Sequence, residues 1–247
     1  MQLARCQITL SAGAWPEVFG HGGQAAYGFL LEVCRSFDPE LARHIHDGHG
    51  PKPLSVSPLS VADGEVRLSC GTLDAPTTAG VVAALQEAAG QPRPLALADA
   101  DVLIADLEVL SAGYADLLER ASRTRRIELD FLSPTLFRRS GESLVLPQPE
   151  LVFGSLLRTW NAFSPLQLPP YEAIDLRTLM ISHHQIHTRM VDFGTFKLLG
   201  FVGRVGYLLP QDTPPQFRQV INCLADYASF AGVGYRTTMG MGVCRRR

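Results

Sequence analysis

The segment His44-Ile45-His46-Asp47-Gly48-His49-Gly50-Pro51-Lys52 concentrates proton-transfer chemistry. Imidazoles change charge near neutral pH, so they can take or give a proton there. Lys52 can offset negative charge building on a phosphate oxygen. Such groups suit metal-free phosphoryl transfer, in which a base takes the proton of an attacking hydroxyl and an acid protonates the leaving oxygen. One histidine and one proton donor suffice. Two other readings stand beside this one. A metal site built from His44, His46 and His49 needs all three on one side, yet alternation aligns 44 with 46 and helical spacing aligns 46 with 49. Only a loop could gather them. The third reading makes His44 and His49 ordinary polar loop residues.

Phosphate-binding chemistry is written elsewhere in the chain. The tail Phe230-Ala231-Gly232-Val233-Gly234-Tyr235-Arg236-Thr237-Thr238-Met239-Gly240-Met241-Gly242 sets Arg236, Thr237 and Thr238 between two Gly-x-Gly pairs. Gly232, Gly234, Gly240 and Gly242 permit positive φ and carry no Cβ, so backbone N–H groups can approach phosphate oxygens. A dinucleotide-binding turn is disfavoured, because this segment follows a helix instead of linking a strand to a helix. Arg120, Arg123, Arg125, Arg126, Arg138 and Arg139 form a basic stretch, and Arg245-Arg246-Arg247 another. These suit a salt-sensitive groove for phosphates, or a solvated linker and tail. The cluster His183-His184-Gln185-Ile186-His187 falls in a strand candidate and reads as a solvated strand face.

The elements that must position these residues follow from periodicity. Residues 2–10 read as a strand. Residues 24–37 place Ala26, Phe29, Leu30, Val33 and Phe37 at helical spacing, and Asp38-Pro39 ends that helix. Strands at 54–61 and 65–71 are joined by Asp63-Gly64, which suits a tight hairpin. A helix at 77–89 and a strand at 101–110 complete the order strand, helix, strand, strand, helix, strand. The second half repeats it: strand at 126–132, helix at 149–163, strands at 176–192 and 196–209, helix at 215–230. Both halves therefore predict an α+β protein of tandem ferredoxin-like, RNA-recognition-type βαββαβ folds, divided as 1–118 and 119–247.

A chain of 247 residues, 46% of them hydrophobic, can bury the cores of two small domains. Its net charge of −2 excludes a generally basic surface, so any nucleic-acid site is local. Five cysteines without a Cys-x-x-Cys pair indicate neither a disulfide framework nor a zinc knuckle. No signal peptide or membrane span is read from the sequence, and a soluble, cytoplasmic protein is expected.

The Gly-rich tail closely resembles the signature of the CRISPR-associated repeat-processing endoribonucleases, the Cas six family of the RAMP superfamily. Val191-Asp192-Phe193-Gly194 and Leu199-Gly200-Phe201-Val202-Gly203 resemble that family's C-terminal domain. Gly50-Pro51-Lys52 and Ser57-Pro58-Leu59 resemble its N-terminal half. The resemblance implies an endoribonuclease that cuts precursor CRISPR RNA within each repeat, without metal or other cofactor, leaving a 5′-hydroxyl and a 2′,3′-cyclic phosphate. The family's catalytic histidine, six residues before the Lys of Gly-Pro-Lys, carries over to His46, and that lysine to Lys52. Its tyrosine falls on Leu31, and Tyr27 lies one turn earlier on the same helix face. The implied RNA contacts are Gly232, Gly234, Arg236, Thr237, Thr238, Gly240 and Gly242, with Arg123, Arg125, Arg126 and Arg139 along the groove. The implied partner is a CRISPR repeat stem-loop. A homodimer and contacts with CRISPR effector subunits stay open, as does a rival reading, a non-catalytic subunit that holds the processed repeat, which the departure at Leu31 favours.

Overall fold

A computed structural model describes residues 2–12, 22–47, 50–62, 65–91, 94–98, 100–169 and 176–247. His49 and the Asp63-Gly64 turn lie outside the described residues.

The first half runs β1 (Leu3–Ala12), α1 (Gly23–Phe37), α2 (Pro39–Asp47), β2 (Leu54–Val56), β3 (Ser60–Ala62), β4 (Glu65–Thr72), α3 (Ala75–Ala89), β5 (Leu95–Leu97) and β6 (Ala100–Ala112). Its sheet has the order β2-β4-β1-β6-β5, all antiparallel, with β3 also on β4. The second half runs α4 (Tyr114–Arg120), β7 (Arg126–Thr135), β8 (Phe137–Arg139), β9 (Glu142–Leu144), α5 (Pro149–Phe163), β10 (Met180–Asp192), β11 (Lys197–Leu208), α6 (Pro215–Ala231) and β12 (Cys244–Arg246). Its sheet has the order β10-β11-β7-β12. In each half the first and third strands lie together at the centre with the second and fourth outside them, the strand order of a ferredoxin-like fold. Two such folds in tandem match the reading of the sequence.

The differences are local. Asp38-Pro39 ends α1, but Pro39 also opens α2, because the first turn of a helix has no use for the N–H that proline lacks. Leu41, Ala42 and Ile45 bury one face of α2, so His44 and His46 stand on a helix and not in a loop. The strand expected from 176 begins at Met180, after a 3-10 turn at Leu176–Thr178. The β8–β9 hairpin is an insertion, and β12 lies beyond the Gly-rich tail.

Each half has its own core, centred on Ile8, Leu30 and Leu85 in the first and on Phe153, Trp160 and Leu224 in the second. The halves also share buried contacts. Tyr114 Oη donates to the carbonyl of Leu73 at 2.6 Å while its ring packs edge-on against Trp160. A division at 118/119 falls inside α4, and Tyr114 at its start is wholly buried in the second core. At a second seam β4 meets the end of α6: a Cβ on Gly71 would stand 1.9 Å from the carbonyl oxygen of Phe230, so only glycine permits the approach. No described helix is long and apolar enough to cross a membrane.

Candidate functional site

Tyr27, His46 and Lys52 come together. α1 carries Tyr27 half-buried on its flank, and α2 folds back across that flank. The Tyr27 hydroxyl lies 3.5 Å from His46 Nδ1, at the outer edge of hydrogen-bond range, with the two rings stacked at 6.4 Å between centroids. Lys52 Nζ donates to the His46 carbonyl oxygen at 2.5 Å. Burial, and after it the neighbouring Asp47 and Cys34, push the Tyr27 hydroxyl above its ordinary pKa, so it stays protonated through neutral pH as a donor. Leu31 is turned into the core of the first half. The hydroxyl that lies by His46 is that of Tyr27. His44, two residues from His46 on α2, faces Asp74 instead, with Nε2 3.9 Å from Oδ2.

Lys52 lines a cleft between the halves, with Gly50 and Pro51 beside it. The opposite wall is the Gly-rich tail, from Gly232 through Gly234, Arg236, Thr237 and Thr238 to Met239. That tail is a compact turn seated on both halves. Leu136, Val191, Phe193 and Met241 form a small core beneath it. On the other side α1 begins directly against it, since a Cβ on Gly23 would lie 2.0 Å from the Met239 carbonyl oxygen. The N–H of Val233 donates to Gly242, that of Tyr235 to Leu136, and that of Gly242 to Pro134. Among the described residues no such acceptor meets the N–H of Gly234, Thr237 or Thr238, and these groups border the cleft. Arg236 adopts φ 60° at the centre of the turn. Its guanidinium lies over Phe196 at 4.8 Å and Tyr235 at 5.2 Å, while its Nε is buried without a partner among the described residues.

The other arginines divide. Arg123 is held by the Gln219 amide oxygen at 3.0 Å and Arg125 by the Leu209 carbonyl at 3.0 Å. Arg126 opens β7 at the end away from the Gly-rich turn, about 30 Å off at ordinary strand rise. The structure does not bring these three to the cleft. Arg246 is clamped to Asp226 and Asn222, and Arg245 faces Asp130. Arg139 is exposed on the β8–β9 hairpin and borders a second cleft that reaches Gly234 and Tyr235. Arg158 on α5 was not singled out in the sequence, yet it lines both clefts. As the lone basic residue of α5 it carried a signal. His183 lies across Gly206 of β11 with Nε2 3.3 Å from Glu128, on a strand exposed over nearly its whole length.

Known proteins share parts of this sequence and its fold. The family model described as CRISPR-associated endoribonuclease Cas6 matches residues 129–244. A curated relative, the CRISPR-associated endoribonuclease Cas6 of Mycobacterium tuberculosis, is 29% identical over 135 residues. The match takes in 53% of this chain and 42% of the relative, so the chain matches less than half the length of that protein. Among solved structures, a Cas6 product complex superposes with a TM-score of 0.86 at 27% identity, over 100% of this chain and 99% of the other. Thermus thermophilus Cas6 gives 0.78 at 25% identity, over 100% and 98%. A Cas6-related protein from Pyrococcus furiosus, at 13% identity and a TM-score of 0.68 over 99% and 98% of the two chains, shares the fold.

Proposed function

Starting from a chain whose residues 129–244 match the CRISPR-associated endoribonuclease Cas6 family model and whose whole length superposes on a Cas6 structure, we propose that it binds the repeat stem-loop of precursor CRISPR RNA in the cleft between its two halves and cuts there without a metal. The observation that carries this reading is the contact of His46 with both Tyr27 and Lys52, where Lys52 lines a cleft whose facing wall is the Gly-rich turn.

Phosphates of the repeat lie against the free N–H groups of Gly234, Thr237 and Thr238, with the hydroxyls of the two threonines and Arg139 beside them. The scissile phosphate comes against Lys52. His46 moves the proton, as base toward the 2′-hydroxyl or as acid toward the leaving 5′-oxygen, and Tyr27 orients its ring and supplies the second proton-bearing group. The 2′-oxygen forms its bond to phosphorus as the bond to the 5′-oxygen breaks. Lys52 offsets the extra negative charge of the pentacovalent transition state, in a position fixed by its bond to the His46 carbonyl. One product strand carries a 2′,3′-cyclic phosphate and the other a 5′-hydroxyl. Product analysis tests the chemistry. The upstream fragment should resist phosphatase until its cyclic end is opened by acid, and the downstream fragment should accept phosphate from polynucleotide kinase without prior dephosphorylation. A 5′-phosphate and free 3′-hydroxyl on the products would point to water as the nucleophile and remove this mechanism.

A further inference from the structure

We propose that the groove between α5 and the β8–β9 hairpin is a second RNA-binding site, which takes the phosphate backbone of the repeat as it leaves the cleavage cleft. The inference rests on the functional reading above and extends it to Arg138, Arg158 and Tyr235.

The groove is lined by Phe137, Arg138, Arg139, Glu150, Leu151, Arg158, Gly234 and Tyr235. Arg158, Gly234 and Tyr235 also line the cleft that holds Lys52, so the two clefts share a wall and form one path. Gly234 makes that continuity possible. With φ at 91° and no Cβ, it lets the turn lie against the corner between β7 and β8, where a Cβ would stand 2.4 Å from the Leu136 carbonyl oxygen. The turn of the β8–β9 hairpin at Ser140 and Gly141, both at positive φ, presents Arg138 and Arg139 as neighbours.

The charge in this groove is uncommitted. No carboxylate lies within ion-pair distance of Arg138, Arg139 or Arg158 among the described residues; Arg138 donates to the Ser143 hydroxyl at 3.1 Å and lies over the Tyr235 ring. Elsewhere in this half Arg204, Arg245 and Arg246 all meet Asp130 or Asp226. Three arginines therefore line the groove against a single carboxylate, that of Glu150. Guanidinium forks match phosphate oxygens. The groove offers no platform for a base: the Tyr235 ring already carries Arg138 at 5.5 Å and Arg236 at 5.2 Å. It thus reads backbone and not sequence, and contributes equally whatever bases the RNA carries.

The test measures binding of a labelled repeat stem-loop RNA across a salt series, for wild type, the double variant Arg138→Ala/Arg158→Ala, and Glu150→Gln. The double variant should bind about tenfold or more weakly, and its slope of log K against log salt should be shallower by roughly 2, about 1 for each phosphate that is no longer neutralised. Glu150→Gln should bind more tightly than wild type, a change that misfolding cannot imitate. The cut position should stay unchanged in all three. Unchanged affinity and slope in the double variant, or no gain in Glu150→Gln, overturns the groove while leaving the cleavage site standing. Wild type that ignores the stem-loop overturns both.

Discussion

Ser55 Oγ donates a hydrogen bond to the carbonyl oxygen of Phe230 at 2.6 Å, tying β2 to the end of α6. β2 begins two residues after Lys52, and α6 leads directly into the Gly-rich turn. This side-chain contact, with the close approaches of Gly71 to Phe230 and Gly23 to Met239, spaces the two walls of the cleft. Ser55→Ala should cost about 1 kcal/mol, lowering the melting temperature by roughly 2–4 °C for a chain of this size. It should also slow cleavage by letting the walls drift. A calorimetric scan with a single-turnover assay checks both, and an unchanged melting temperature would show that Gly71 against Phe230 holds the seam alone.

Tyr27→Phe keeps the ring stacked on His46 and removes only the hydroxyl. Because burial holds that hydroxyl protonated, its loss removes a proton donor without altering charge. Single-turnover cleavage should fall by at least about tenfold, with affinity for the repeat unchanged. Wild-type rates in this variant would confine Tyr27 to packing.

Gly234→Ala separates backbone strain from steric conflict. Gly141, at φ 85° with nothing near its Cβ position, suffers the strain alone. Gly234 suffers both, so its alanine variant should be the more destabilised, by about 1–3 kcal/mol, and should bind the repeat more weakly because the turn must shift. Equal losses in the two variants, read from denaturant melts, would mean that the approach to Leu136 relaxes freely.

Much of this arrangement was legible in the sequence, for reasons that differ by element. α5 and α6 were readable to within a residue because proline opens each helix and apolar residues recur along one face. The Gly-rich turn was readable because each glycine answers a positive φ or a close approach. α2 was not, since Pro39 follows a helix and signals a stop as readily as a start. The pairing of Tyr27 with His46 depends on α2 folding back along α1, a tertiary choice without local trace. Arg123 and Arg125 look free in the sequence because their acceptors, Gln219 and Leu209, lie more than eighty residues away.

Stability should fall in alkali. Burial pushes the thiols of Cys34 and Cys223 up to about 12 in the folded chain, from an ordinary value of 9.0. Their contribution is therefore complete below about pH 9 and is lost as pH rises toward 12, because the unfolded thiols ionise first. Buried Tyr207 and Tyr227, raised by desolvation, add to the same trend above pH 10. Melting temperatures from pH 8 to pH 11 should decline, and less steeply in Cys34→Ala. A flat profile would show that these groups are solvated.

The measurement that bears most directly on the proposed chemistry is single-turnover cleavage of repeat RNA in EDTA by wild type and by His46→Ala, with binding followed in parallel. Wild type should cut at its full rate, while the variant binds equally well and cuts about 10²- to 10⁴-fold more slowly. Cleavage by the variant at the wild-type rate, or loss of wild-type cleavage in EDTA, would contradict it.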